Sequence, residues 1–321
     1  RTLLQPPSSR AASSSRLPIM AGFTGQAERD DRMALNVVIM AAGKGTRMKS
    51  RLPKVLHLLA GRALVQHVVD TAAELSARRV VVITGHGATE VEAHLLQSTG
   101  ASGDFDKKFE LKFVRQEPQL GTGHAVQQAV PALADDGLVL ILSGDVPLTQ
   151  PATLYHLLAA SAGTRLALLT LDMPNPTGYG RVVRDVHGAV RGIVEHKDAS
   201  FEQRAITEIY SGIMAVPAVH LKRWLARLDN QNAQGEYYLT DVVRFAVDDG
   251  VEVVAHKIDD AVQVAGVNSP VQLAELERAY QWRQAQRLMD EGVRLADPAR
   301  LDVRGDLLCA HDVSIDVNCV F

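Results

Sequence analysis

Along most of this chain, short runs of β-branched and aliphatic residues alternate with stretches of helical periodicity. The runs at 37–40, 79–84, 111–115, 138–142 and 166–171 have strand length, and 64–75, 89–97, 123–133 and 151–160 between them read as helices. That alternation predicts an α/β domain with a doubly wound parallel sheet, whose ligands bind at the carboxyl ends of the strands. Met40, Thr84, Gln116 and Ser143 stand at such ends. Past Gly178 the rhythm becomes strand-rich, with 181–186, 190–196 and 209–216 predicting a β layer laid over the sheet as a lid. Helical patterns return at 219–228 and 241–249, followed by a strand at 251–256. A long helix over 270–291 places Leu273, Leu276, Ala279 and Tyr280 on one face, and is expected to leave the first domain as an arm.

Beyond the arm, Leu301, Leu307, Val313 and Cys319 recur at a six-residue spacing. That period matches the hexapeptide repeat of a left-handed parallel β-helix; on spacing alone an irregular tail is the alternative. A solenoid coil does not bury its own apolar face. A chain ending at Phe321 therefore carries about one rung, expected to be poorly stabilised. At the other end, residues 1–33 contain Pro6-Pro7, Ser8-Ser9 and Ser13-Ser14-Ser15 with scattered arginines and no apolar period, and are expected to be disordered or a non-native extension. They faintly imitate a transit peptide, but Met33, directly before the first strand, reads better as the natural start.

Composition narrows the function classes. Apolar residues make up 46% and charged residues 22%, ordinary values for a globular protein, and no apolar run approaches the roughly 20 residues of a membrane-spanning helix. A net charge of −3 gives no general case for nucleic-acid binding, so any phosphate recognition must be local. Two cysteines, Cys309 and Cys319, are too few for a disulfide framework or a zinc ribbon and suit a reducing cytoplasm. The eleven histidines show no metal-ligand spacing, and no nucleophile motif marks a catalytic triad.

The densest chemistry lies where Leu35-Asn36-Val37-Val38-Ile39-Met40 runs into Ala41-Ala42-Gly43-Lys44-Gly45-Thr46-Arg47-Met48, with Pro53-Lys54 a turn later. Gly43 and Gly45 let the backbone approach an anion, and Arg47 and Lys54 bring two positive charges to the same rim, which points to a polyphosphate. Met48 stands where a dinucleotide GxGxxG fingerprint needs glycine, and the GK[ST] ending of a Walker A loop is missing. The string instead resembles the signature of the nucleotide-sugar pyrophosphorylases, the sugar-phosphate nucleotidyltransferases. Gln119-Leu120-Gly121-Thr122-Gly123-His124-Ala125, Gly144-Asp145-Val146-Pro147-Leu148, Thr177-Gly178-Tyr179-Gly180-Arg181, Val194-Glu195-His196-Lys197-Asp198-Ala199, Gly235-Glu236-Tyr237-Tyr238-Leu239-Thr240-Asp241 and Ala265-Gly266-Val267-Asn268 make the resemblance closer. Over residues 35–321 the chain is similar to the N-terminal half of the bacterial bifunctional N-acetylglucosamine-1-phosphate uridyltransferase/glucosamine-1-phosphate acetyltransferase family.

The resemblance implies a Rossmann-like nucleotidyltransferase domain with a doubly wound mixed sheet and an added β lid over 34–262, a closing segment and linker helix over 263–294, and the start of a left-handed parallel β-helix over 295–321. It implies Mg²⁺-dependent uridylyl transfer from UTP to N-acetylglucosamine 1-phosphate in the cytoplasm, giving UDP-N-acetylglucosamine for peptidoglycan and lipopolysaccharide, and no acetyl transfer. The family enzyme is expected to be a homotrimer and this shorter chain a monomer. Displacement at the α-phosphorus needs alignment and charge neutralisation, and Arg47 and Lys54 match the catalytic cations. Asp145, after the strand at 138–142, and Asn268 match the two metal ligands. Met40, Ala41, Ala42 and Gly43 match the nucleotide cradle, Gln116, Gly121 and Thr122 the base-recognition positions, and Ser143 and Gly144 neighbours of the metal. Gly180 and Glu195 match the sugar site. The pattern departs at Tyr210, where many relatives carry asparagine; a phenol does not copy an amide's paired donor and acceptor, so no sugar contact carries over. The competing readings are a nucleotidyltransferase for a related sugar phosphate, a Rossmann dehydrogenase, and a trimerisation module.

Overall fold

The computed structural model describes residues 34–101 and 109–321; the expectation for residues 1–33 lies outside them. These described residues form one compact unit. The chain runs through β1 (Leu35–Met40), a short hairpin of β2 (Leu58–Leu59) and β3 (Arg62–Ala63), α1 (Leu64–Glu74), β4 (Arg79–Thr84), α2 (Ala88–Ala101) and β5 (Glu110–Arg115). Then come α3 (Thr122–Ala129), β6 (Leu138–Ser143), α4 (Pro151–Ser161), β7 (Leu166–Asp172), β8 (Arg181–Arg184), β9 (Val190–Val194), α5 (Phe201–Arg204) and β10 (Glu208–Pro217). Finally α6 (Ala218–Leu225), α7 (Asp241–Asp248), β11 (Val253–Lys257) and α8 (Pro270–Asp290) lead to the short strands β12 (Arg294–Leu295), β13 (Leu301–Asp302), β14 (Ser314–Ile315) and β15 (Cys319–Val320).

The main sheet has the order β11-β7-β10-β6-β1-β4-β5. Strands β6, β1, β4 and β5 are mutually parallel, so their carboxyl ends lie along one edge. The near-continuous apolar runs of β6, β1 and β4 are buried on both faces, the mark of strands covered by helices on either side, whereas β5 at the edge is only part-buried: Val37, Val38 and Ile39 of β1 and Val80 to Ile83 of β4 are fully enclosed.

Strand β10 corrects one expectation. Only the hairpin of β8 and β9 is added at the sheet's margin, held through Arg181 opposite Ile209. The third predicted lid strand is a central member of the sheet, antiparallel between β6 and β7. Its run Ile213-Met214-Ala215-Val216 is enclosed on both faces, which only an interior position provides. Being antiparallel, β10 brings its N-terminal end to the edge where β6 ends, and a Cβ on Gly212 would lie 3.7 Å from the Ser143 hydroxyl.

Helix α8 is packed at both of its halves. Ser269 accepts from the Gln272 N–H as its N-cap and Pro270 opens the first turn, where no N–H is needed. Its first half packs through Leu276 into a cluster with Met48, Leu59, Ala60, Leu64, Leu148 and Val267. That cluster ties together the loop after β1, the loop after β6 and the segment before α8. Each such side chain taken from water contributes roughly 1.5–3 kcal/mol, so segments far apart in sequence are held as one body. The second half of α8 gives Ala285 and Leu288 to a cluster with Val293, Leu301, Val303 and Ile315. Leu301 pairs in parallel with Cys319, three six-residue steps later, and all four residues of the six-residue period belong to or pack against that cluster. The coil expected to be poorly stabilised therefore has its apolar side covered by α8. Among the described residues no helix is long and apolar enough to cross a membrane.

Candidate functional site

At the carboxyl edge of the parallel strands three groups of predicted residues stand in the order the sheet imposes. The middle group lies beyond β1 and β6. Gly144 donates its N–H to the Met40 carbonyl at 2.9 Å, pinning the two strand ends together, and a Cβ there would press on Ala41 at 3.2 Å. Asp145 follows immediately. The Lys54 ammonium donates to Asp145 Oδ2 at 2.5 Å and to Asn268 Oδ1 at 3.2 Å, bridging positions 91 and 214 residues away in sequence. Lys54 and Asp145 side chains are 14% and 18% exposed, so the pair is shielded yet reachable from the edge.

Local folding explains this convergence. The Val267 N–H donates to the Asp145 carbonyl at 2.9 Å, and the Asn268 N–H to Gln272 Oε1 at 2.8 Å, which fixes Asn268 at the mouth of α8. The Lys54 stem runs against the glycine-rich loop: a Cβ on Gly45, whose φ is +60°, would fall 2.5 Å from Lys54 Cβ. Gly45 is thus required both by its left-handed backbone and by close approach. Arg47 stands exposed on the same loop, while its neighbour Met48 is anchored in the apolar cluster. Among the described residues Lys44, Arg47, Lys49 and Arg51 form no ion pair, so the loop presents uncompensated positive charge.

The second group follows β5. Gln116, 5% exposed, donates from Nε2 to the Gly121 carbonyl at 2.9 Å and lies 3.2 Å from His124 Nδ1. Gly123 N–H reaches the Tyr237 carbonyl, Tyr237 N–H the Leu120 carbonyl, and Leu239 N–H the Thr122 hydroxyl. The turn 119–123 is therefore laced to segment 236–239, and the Gln116 amide nitrogen and Thr122 hydroxyl help hold it. Sequence reading did not single out Gln119, whose Nε2 crosses to the Ala42 carbonyl at 2.9 Å.

The third group sits on β10 and the β8–β9 hairpin. The Tyr210 N–H donates to the Gly180 carbonyl at 2.9 Å, and a Cβ on Gly180 would stand 3.7 Å from the Glu195 carboxylate. Thr240 donates its hydroxyl to Glu195 Oε1 at 2.9 Å. Burial pushes the Glu195 carboxyl above its ordinary range; Thr240 opposes the rise, and the nearby Asp198, Asp241 and Glu236 add to it. Among the described residues no hydrogen bond joins this group to the Lys54 cluster. Tyr210 is 7% exposed and its hydroxyl has no hydrogen-bond partner among the described residues. Burial, with Glu195 adding, holds the phenol well above its usual range. An unpaired buried hydroxyl costs about 1–3 kcal/mol. Tyr210→Phe, which keeps the ring, is expected to raise the melting temperature by a few degrees. A lower melting temperature would show that the hydroxyl serves the fold.

Asp145 and Asn268 offer one carboxylate and one amide oxygen, a hard donor set that suits Mg²⁺ with water and phosphate completing its shell. No group of three or more His, Cys, Asp or Glu able to hold a metal occurs among the described residues.

Comparison with known proteins matches residues 37–208 to the MobA-like NTP transferase domain. The chain is 74% identical over 289 residues to a protein of Albidiferax ferrireducens named bifunctional protein GlmU, covering 89% of this chain and 61% of that one. The protein of the same name from Polaromonas naphthalenivorans is 72% identical over 290 residues, with 89% and 60% covered, and that of Herminiimonas arsenicoxydans 55% over 287, with 89% and 61% covered. The chain thus spans about three-fifths of the length of these curated relatives. Among solved structures, a UDP-glucose pyrophosphorylase complexed with UDP-glucose superposes with a TM-score of 0.63 at 17% identity, covering 78% of this chain and all of that one. The UDP-glucose pyrophosphorylase of Acinetobacter baumanii gives 0.59 at 20%, covering 81% and 99%. At such identities these two establish the shared fold.

Proposed function

The chain belongs to the MobA-like NTP transferase family, and we propose that it transfers a uridylyl group from UTP to N-acetylglucosamine 1-phosphate, releasing pyrophosphate. The observation that carries this reading is the meeting of Lys54, Asp145 and Asn268 beside a cationic glycine loop at the carboxyl edge of four parallel strands. Relatives named bifunctional GlmU, 74% and 72% identical over 89% of this chain, support the choice of nucleotide and sugar.

In this reading the Gly43–Gly45 backbone and Arg47 receive the triphosphate, and Lys54 stands beside the α-phosphate. Gln116, Gly121 and Thr122 form the uracil end, and Gly180 and Glu195 the sugar end. In this reading sugar, phosphates and base would follow one another along β10, β6, β1, β4 and β5, the order in which the joined product carries them, and this agreement supports it. Asp145 and Asn268 would hold Mg²⁺, which supplies neutralisation of phosphate charge when bound. The attacking phosphate is ionised at neutral pH, so these residues position and neutralise rather than abstract a proton.

A pyrophosphate-release assay tests the proposal, with UTP, Mg²⁺ and either N-acetylglucosamine 1-phosphate or glucosamine 1-phosphate, repeated with the other nucleoside triphosphates. Release with UTP and the acetylated sugar, at least tenfold above the other pairings, is expected. A preference for another sugar phosphate would establish the alternative nucleotidyltransferase, and no release from any pairing would overturn the reading.

A further inference from the structure

The Ala42 carbonyl is held by two donors from outside its own loop. Gln119 Nε2 reaches it at 2.9 Å from the turn after β5, and the His86 N–H at 3.2 Å from the turn after β4. That carbonyl shares one peptide plane with the Gly43 N–H. A trans peptide is planar and its N–H points opposite to its C=O, so anchoring the oxygen fixes the direction of the Gly43 N–H. Gly43 itself is exposed, and a Cβ built on it would meet nothing within 4 Å, so no packing against Gly43 sets this orientation. The site for Gln119 is built to fit: a Cβ on Gly85 would fall 2.7 Å from Gln119 Nε2 and 2.9 Å from the Ala42 carbonyl.

We propose that Gln119 is a positioning residue that aims the Gly43 N–H at the nucleotide's phosphates, and so couples the base-binding turn to the phosphate cradle. The inference rests on the nucleotide reading given above for its ligand, but its geometry does not. Gln119 belongs to the turn that carries Gly121 and Thr122, which segment 236–239 holds by three hydrogen bonds. Base occupancy of the turn and phosphate binding at Gly43 thereby share one strut, and a nucleotide with the wrong base would lose donor alignment as well as base contacts.

The test uses Gln119→Leu, which keeps bulk and removes the donor, in the full chain. Selective ¹⁵N-glycine labelling of the ligand-free protein reads the Gly43 amide directly. In the variant its resonance is expected to shift and broaden while the Gly192 and Gly250 resonances stay in place. Calorimetric titration is expected to show UTP bound at least tenfold more weakly and uridine within about twofold of the parent. An unmoved Gly43 resonance would overturn the proposal whether or not the parent binds UTP. Equal losses for uridine and UTP would reduce Gln119 to a part of the base turn and overturn it too. If the parent binds no UTP while the Gly43 resonance still shifts, the peptide anchor stands and the nucleotide reading fails.

Discussion

Asp145→Ala is expected to lower kcat/KM for pyrophosphate release by about a thousandfold or more, a loss on the order of 4 kcal/mol in transition-state stabilisation. Two effects combine. The substitution removes the only carboxylate bonded to Lys54 among the described residues, and with it the charged half of the proposed cation site. It also leaves the Lys54 ammonium, largely enclosed, with Asn268 Oδ1 as its remaining partner. An enclosed charge stripped of its counter-ion destabilises the fold, so the single variant should also melt lower. Lys54→Met combined with Asp145→Ala separates the two: melting should recover while activity stays lost, since the pair's stability term is removed on both sides. Activity within tenfold of the parent in Asp145→Ala would exclude Asp145 from the chemistry.

Much of the fold was legible because the central strands are enclosed on both faces and read as unbroken apolar runs. Val37-Val38-Ile39, Val80 to Ile83 and Leu138 to Leu142 have no other way to be buried. The place of β10 was not legible, because strand order is a tertiary property. A run following two lid strands reads as a third, and only its burial on both sides reveals the sheet interior. The six-residue period at the C-terminus was readable, but its stabilisation was not, since Ala285 and Leu288 on α8 supply the cover from outside the repeat.

The site shows the same division. Glycine loop, Lys54, Asp145 and Asn268 could be picked out by type and motif, yet their meeting depends on the cluster of Met48, Leu148, Val267 and Leu276, which no local pattern announces. Gln119 lay inside a recognised string but carried no signal of its own. Its work is a hydrogen bond to a peptide 77 residues away, and an amide side chain in a turn is compatible with many roles.

Gly121→Ala should produce the largest effect of any substitution that adds only a methyl group to the base-binding turn. Gly121 has φ +108° and ψ 175°, a region essentially closed to residues with a Cβ. The added carbon would stand 2.7 Å from the Tyr237 carbonyl oxygen and 3.0 Å from the Tyr237 nitrogen, both backbone atoms that cannot rotate away. Relief requires opening the lacing between 119–123 and 236–239 or turning the Gly121 peptide, and turning it releases the Gln116 bond to its carbonyl. Backbone strain and clash together are expected to cost roughly 3–4 kcal/mol, a fall in melting temperature of several degrees. UTP affinity should drop by at least tenfold. Gly43→Ala provides the contrast, because open space and an ordinary φ leave stability unchanged there while the new methyl crowds the phosphate side of the loop. Parallel thermal melts and UTP titrations of the two variants decide the matter: a Gly121→Ala protein as stable as Gly43→Ala would show that the turn is not laced as described.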